Sequence, residues 1–175
     1  SVGQNWERAA LIKARPIAGD IVSGNEFLQS LEPFIWRKTL DFAALQDIQS
    51  IKSQIDSQNK TIDSLAGHNV KLGRGGIREI EFFAQTLQLI WGGRLREVRC
   101  SSTVDALRAL SVQGRISEVV CNEMEDAYWF LRSVENRLQM VEDRQTHVLP
   151  KSTASLSAFA LFMGYRDPPI FFDAI

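Results

Sequence analysis

At 175 residues the chain is long enough to bury one substantial core, with room for a small appendage. Its 20 Lys and Arg balance 21 Asp and Glu, so no bulk field draws nucleic acid or an anionic membrane, and any basic function must be local. Cys100 and Cys121 are too few for a disulfide scaffold or a zinc site, and no apolar run approaches the roughly 20 residues of a bilayer span; with no signal-peptide pattern at the start, the chain is expected to be soluble and cytoplasmic.

Taken in order, the first expected helix runs from Trp6 to Arg15, where Pro16 stops or kinks it. Glu26 to Arg37 reads as one or two short helices around Pro33. Ile48, Ile51, Ile55, Ile62 and Leu65 mark a further helix, its stripe interrupted near Gln58 and Asn59. Then comes the most distinctive segment, Asn69-Val-Lys-Leu-Gly-Arg-Gly-Gly-Ile-Arg-Glu-Ile-Glu-Phe82, a glycine-rich basic loop feeding a helix. Gly73, Gly75 and Gly76 permit positive φ and close approach, while Lys71, Arg74 and Arg78 set positive charge beside the first N–H groups of that helix. An anion, phosphate above all, is met by such a terminus. A sharp turn between two helices needs the same residues, and both readings stand.

Ile77, Ile80, Ala84, Leu87 and Trp91 continue as the apolar stripe of the helix after the loop. A shorter helix, Thr103 to Val112, follows Ser101 and Ser102 as caps and ends near Gly114. Val120, Met124, Ala127, Leu131, Val134, Leu138 and Val141 form the seam of a long helix. After Pro150 a short helix is expected at Thr153 to Met163, and another beginning at Ile170. Period-2 strands are absent. The fold predicted is all-α, an antiparallel helical bundle with short flanking helices. Residues 1–40 form a lead-in, 41–150 the bundle domain and 151–175 the start of a following segment. Both ends read as cut from a longer protein.

Chemistry is sparse. Glu79 and Glu81 diverge by about 200° on a helix, as do Glu123 and Glu125, and neither pair chelates a metal. One of the first pair is expected at the surface and the other as the partner of an arginine. His68 and His147 lack ligand neighbours, and His147 is expected to cap or pack where the long helix ends. No Ser or Cys sits in a nucleophile elbow, so no catalytic and no metal residue is assigned. Arg132, Arg137 and Arg144, with Glu135, Glu142 and Asp143, read as solvated flanks making weak pairs.

Several motifs in order resemble one family. Trp6-Glu-Arg-Ala-Ala-Leu-Ile-Lys-Ala-Arg-Pro-Ile-Ala-Gly-Asp20 is similar to the segment after the catalytic core of glutamine-synthetase adenylyltransferases. Leu40-Asp-Phe42, the glycine loop with Ile77-Arg-Glu-Ile-Glu-Phe82, and Gly92-Gly-Arg94 continue it. Ala127-Tyr-Trp-Phe-Leu-Arg132, Asn136-Arg-Leu-Gln139, Gln145-Thr-His-Val-Leu-Pro150 and Met163-Gly164 carry it across almost the whole chain. The wording of the glycine loop and of the Gln-Thr-His-x-Leu-Pro segment resembles the N-terminal, deadenylylating half of those bifunctional enzymes.

The resemblance implies a helical domain beside a nucleotidyltransferase sheet that this sequence lacks. The family's Gly-Ser turn and Asp-x-Asp site are not here, nor is its Leu-Arg-Pro lead-in to the first helix. Alone the chain is therefore expected to be inactive. In the full enzyme Mg²⁺ and ATP or ADP are implied as cofactors, with none expected on this chain by itself. Implied partners are glutamine synthetase, the PII signalling protein, plain or uridylylated, and the catalytic domain. Lys13, Arg15, Lys71, Arg74 and Arg78 become the expected phosphate contacts. The rival expectation is a docking module for PII or glutamine synthetase without a ligand site.

Overall fold

Asp20 shows how local chemistry starts a helix here. Its carboxylate accepts from the N–H groups of Val22 and Ser23 at 3.0 and 3.1 Å, and the helix Ile21–Ile35 follows. The computed structural model describes residues 5–38 and 65–175. Among them are seven α-helices: α1 Asn5–Leu11, α2 Ile21–Ile35, α3 Ile77–Trp91, α4 Thr103–Val112, α5 Glu118–Glu142, α6 Thr153–Phe162 and α7 Pro168–Ala174. A 3₁₀ turn, Arg96–Val98, separates α3 from α4. The described residues hold no strand, only an isolated antiparallel bridge between Asn69 and Val148. The all-α class is as expected. Of the helix expected from Ile48 to Leu65, all but Leu65 lies outside the described residues, and Leu65 itself sits in a bend.

Two boundaries differ from expectation. α1 stops at Leu11 rather than Arg15, its last turn tightening to three-residue bonds such as Ala14 N–H to Leu11 C=O at 3.1 Å. Pro16 disfavours helical backbone at the residue before it, and the chain leaves the helix ahead of that point. α2 starts at Ile21 instead of Glu26 and carries Pro33 through its last turn. Gly24 lowers its helix propensity, but a Cβ there would lie 2.8 Å from Pro16 Cβ, so the close packing of the Pro16 turn requires glycine.

The chain forms two compact units, Ser1–Gln54 with Glu81–Glu125 and Ile55–Ile80 with Asp126–Ile175. In the first, Ile12, Ile35 and Leu89 form a buried cluster flanked by Leu31, Phe34 and Trp36. Arg8, only 3% exposed, donates from Nε and Nη2 to the Ile35 carbonyl at 3.2 and 2.9 Å and so satisfies the C-terminal end of α2. Gln88 binds the next turn, its Nε2 donating to the carbonyls of Val98 and Cys100 at 2.6 and 2.8 Å.

In the second unit Val70, Ile77, Val134, Leu138 and Leu149 are almost wholly buried. Phe171 is fully enclosed, with the rings of Phe159 and Tyr165 at 5.8 and 5.3 Å. The expected seam of α5 is buried only in its middle, at Leu131, Val134 and Leu138; Ala127 is exposed and Val141 is 61% exposed.

Candidate functional site

The glycine loop folds onto the start of α3. Asn69 Oδ1 accepts from the N–H groups of Lys71 and Leu72 at 3.0 and 2.9 Å, an Asx turn that curls the chain. The N–H groups of Ile77 and Arg78 then donate to the carbonyls of Val70 and Lys71, each at 3.0 Å, and that of Glu79 to Gly76 at 2.9 Å. Glu79 reaches back, its Oε2 accepting the Gly75 N–H at 3.2 Å. The first-turn donors expected to face outward toward an anion are thus taken by the loop itself, and a carboxylate lies on one of the loop's own N–H groups. This corrects the backbone part of the phosphate-cradle expectation.

The glycines have internal reasons as well. Gly75 has φ +73°, and a Cβ on Gly76 would meet the carbonyl oxygens of Gly73, Lys71 and Val70 at 2.8 to 2.9 Å.

What holds this loop is a second motif far along the chain. The Val70 N–H donates to the His147 carbonyl at 2.9 Å, and the Leu149 N–H to the His68 carbonyl at 2.8 Å. The glycine loop and the Gln145-Thr-His-Val-Leu-Pro150 segment therefore lie side by side. Glu135 of α5 joins them. It is 3% exposed, with Lys71 Nζ 3.3 Å from Oε1 and Arg132 Nη1 2.7 Å from Oε2. His147 Nδ1 comes within 2.9 Å of Oε1, yet off the line along which a ring N–H would donate, so it is a buried close approach rather than a hydrogen bond. Burial pushes the Glu135 carboxyl upward, but the hydrogen bond and charge of Arg132, with Lys71 behind them, outweigh it and hold the carboxyl below its ordinary value. Arg132 also touches the Tyr128 hydroxyl at 3.1 Å and lies over its ring.

The five expected phosphate contacts fall differently. Lys71 is bound to Glu135, while the side chains of Arg74 and Arg78 are exposed on the same loop and helix start. These three belong to the second unit. Lys13 and Arg15 belong to the first. Lys13 Nζ lies 2.8 Å from Thr103 Oγ1 and 3.3 Å from Glu81 Oε1, and Arg15 is exposed. Glu81 is the inward member of the Glu79–Glu81 pair and lies against Lys13.

The solvated-flank reading of Arg132 and Glu135 is overturned by the burial of Glu135. Their three-residue spacing was visible in the sequence; the arrival of Lys71 and His147 was not.

Other reactive groups are restrained. Burial pushes the thiols of Cys100 and Cys121 up, opposite to a nucleophile's need. Among the described residues no three His, Cys, Asp or Glu side chains converge as metal ligands. No described helix is long and apolar enough to cross a membrane.

Fold and site together define an all-α domain that displays a basic loop braced from below by a buried carboxylate. The sequence model of the family described as GlnD PII-uridylyltransferase matches residues 47–169, and the chain belongs to that family. It is 55% identical over 99% of its length to a bifunctional glutamine synthetase adenylyltransferase/adenylyl-removing enzyme of Agrobacterium fabrum. Proteins of the same description from Brucella melitensis and Rhizobium meliloti are each 53% identical to it, over 97% and 100% of the chain. The chain spans only 17 to 18% of the length of these curated relatives. The motif resemblance to glutamine-synthetase adenylyltransferases agrees with them.

Proposed function

We propose that this chain is the helical domain of an enzyme that removes AMP from a tyrosine of glutamine synthetase and, in its other half, attaches it. The observation carrying this reading is the 55% identity to an adenylyltransferase/adenylyl-removing enzyme across 99% of the chain. We assign it to the N-terminal, deadenylylating half, because the wording from Gly75 to Phe82 and from Gln145 to Pro150 fits that half. Residues 1–40 lead in from the catalytic core, 41–150 form the bundle domain, and 151–175 open the next segment. Mg²⁺ and ATP or ADP bind with that core, which supplies the metal-dependent chemistry.

The role of this chain's own residues is positioning. Arg74 and Arg78 are exposed on a loop that Glu135 and the His147 segment hold in place. Fixed cations of this kind neutralise phosphate charge without reorganising during transfer. Lys13 and Arg15 are further phosphate contacts proposed within the first unit, and Lys71 acts through its hold on the loop. In the full-length enzyme, Arg74→Ala or Arg78→Ala slows deadenylylation more than about tenfold. Unchanged turnover with an intact circular-dichroism spectrum overturns the assignment.

One observation favours a second reading. Because the first-turn N–H groups of α3 are already bonded, the loop offers an anion only side chains. Such a surface also suits docking on an acidic face of glutamine synthetase or of PII, plain or uridylylated. Titrating the chain with each protein, and separately with ADP, decides between them: protein binding without nucleotide binding supports docking.

A further inference from the structure

A cleft of about 490 Å³ opens in the first unit, between the end of α2 and the turn after α3. It is lined by four cationic side chains, Arg37, Lys38, Arg96 and Arg99, and by one carboxylate, Glu32. Trp36 supplies an aromatic wall. Its volume lies in the range of small-molecule sites, roughly 300–1,000 Å³.

Backbone packing and hydrogen bonds bring these charges together. A Cβ at Gly93 would fall 1.9 Å from the Arg37 carbonyl oxygen, so the backbone of the turn lies directly against residue 37. Arg94 Nε donates to the Lys38 carbonyl at 3.2 Å. Within the cleft Glu32 is already engaged by Arg99 Nη1 at 3.0 Å, and Arg99 is further fixed by the Gly92 carbonyl and the Trp36 ring. Lys38 and Arg96 are exposed and have no ion-pair partner among the described residues. Close packing thus confines like charges that would separate if free, a cost that a bound anion offsets.

The geometry points to this cleft as a binding site for a small oxyanion carrying two or more charges, held by Lys38 and Arg96 at the rim. Arginine and lysine bind phosphates and carboxylates alike, the guanidinium by paired N–H donors. The site is separate from the loop of the proposed function and does not depend on that reading.

The test is calorimetric titration of the 175-residue chain with pyrophosphate and with citrate at constant ionic strength. Saturable binding is expected, weakened at least about tenfold in the Lys38→Gln/Arg96→Gln double variant. The unliganded variant should melt no lower than the parent, since like-charge repulsion has been relieved. Preference for pyrophosphate assigns phosphate chemistry to the site, and preference for citrate assigns carboxylate chemistry. Absence of binding overturns the inference. So does binding that survives in the double variant, including binding that is lost only in Arg74→Gln.

Discussion

Lys71 Nζ stands 3.3 Å from Glu135 Oε1, so the strand of chain entering the glycine loop is tied to the middle of α5. The same carboxylate also faces Arg132 of its own helix and His147 of the following segment. Glu135→Ala should therefore destabilise the second unit by about 1–3 kcal/mol, the range for losing a buried hydrogen-bonding partner, because Lys71 and Arg132 are partly exposed and can turn to water. Urea denaturation followed by circular dichroism measures it. A loss below about 0.5 kcal/mol, the level of a surface pair, shows that the cluster does not hold the loop.

The acid response carries a definite sign. The Glu135 carboxyl is lowered from the ordinary 4.5 in the folded state, so its contribution is fully present above that value and is lost as pH falls through the folded one. Stability measured from pH 6 downward should decline below about 4.5, and Glu135→Gln should flatten that decline. Parallel pH profiles for the two proteins count against the effect.

The loop glycines should differ in kind. Gly75→Ala meets nothing within 4 Å and carries only the cost of positive φ, about 1 kcal/mol. Gly76→Ala drives a methyl into three backbone carbonyls and should cost more than about 2 kcal/mol. Hydrogen exchange at Ile77 and Arg78, whose N–H groups close the loop, should rise in the second variant far more than in the first.

In the first unit Lys13→Ala removes the cation beside Glu81, which is 5% exposed. A loss of about 1–3 kcal/mol is expected, and much of it should return in Lys13→Ala/Glu81→Gln, since a neutral amide is cheaper to bury than a carboxylate. A double variant no more stable than the single one shows that Lys13 matters through packing alone.

Helix existence was legible wherever the signal was local. Thr103–Val112 matches its expected span because Ser102 and the glycine at 114 mark both ends. α3 follows its stripe from Ile77 to Trp91 for the same reason. The start of α2 was missed although Asp20 was a readable cap, because the glycine at 24 answers to the packing of Pro16 and not to helix propensity. Val141 continues the α5 periodicity yet stays 61% exposed, since a stripe names a face without saying how much of it finds a partner.

By itself the sequence determined the all-α class, the cap at Ser102 and the family, since these rest on periodicity, on neighbours a few residues apart and on the order of motifs. The tertiary structure alone decided that the glycine loop closes on its own N–H groups and that Lys71 and His147 join Glu135. The physical reason is that burial and ion pairing depend on which segments meet across long stretches of chain. A charged residue looks the same in sequence whether water or another side chain faces it.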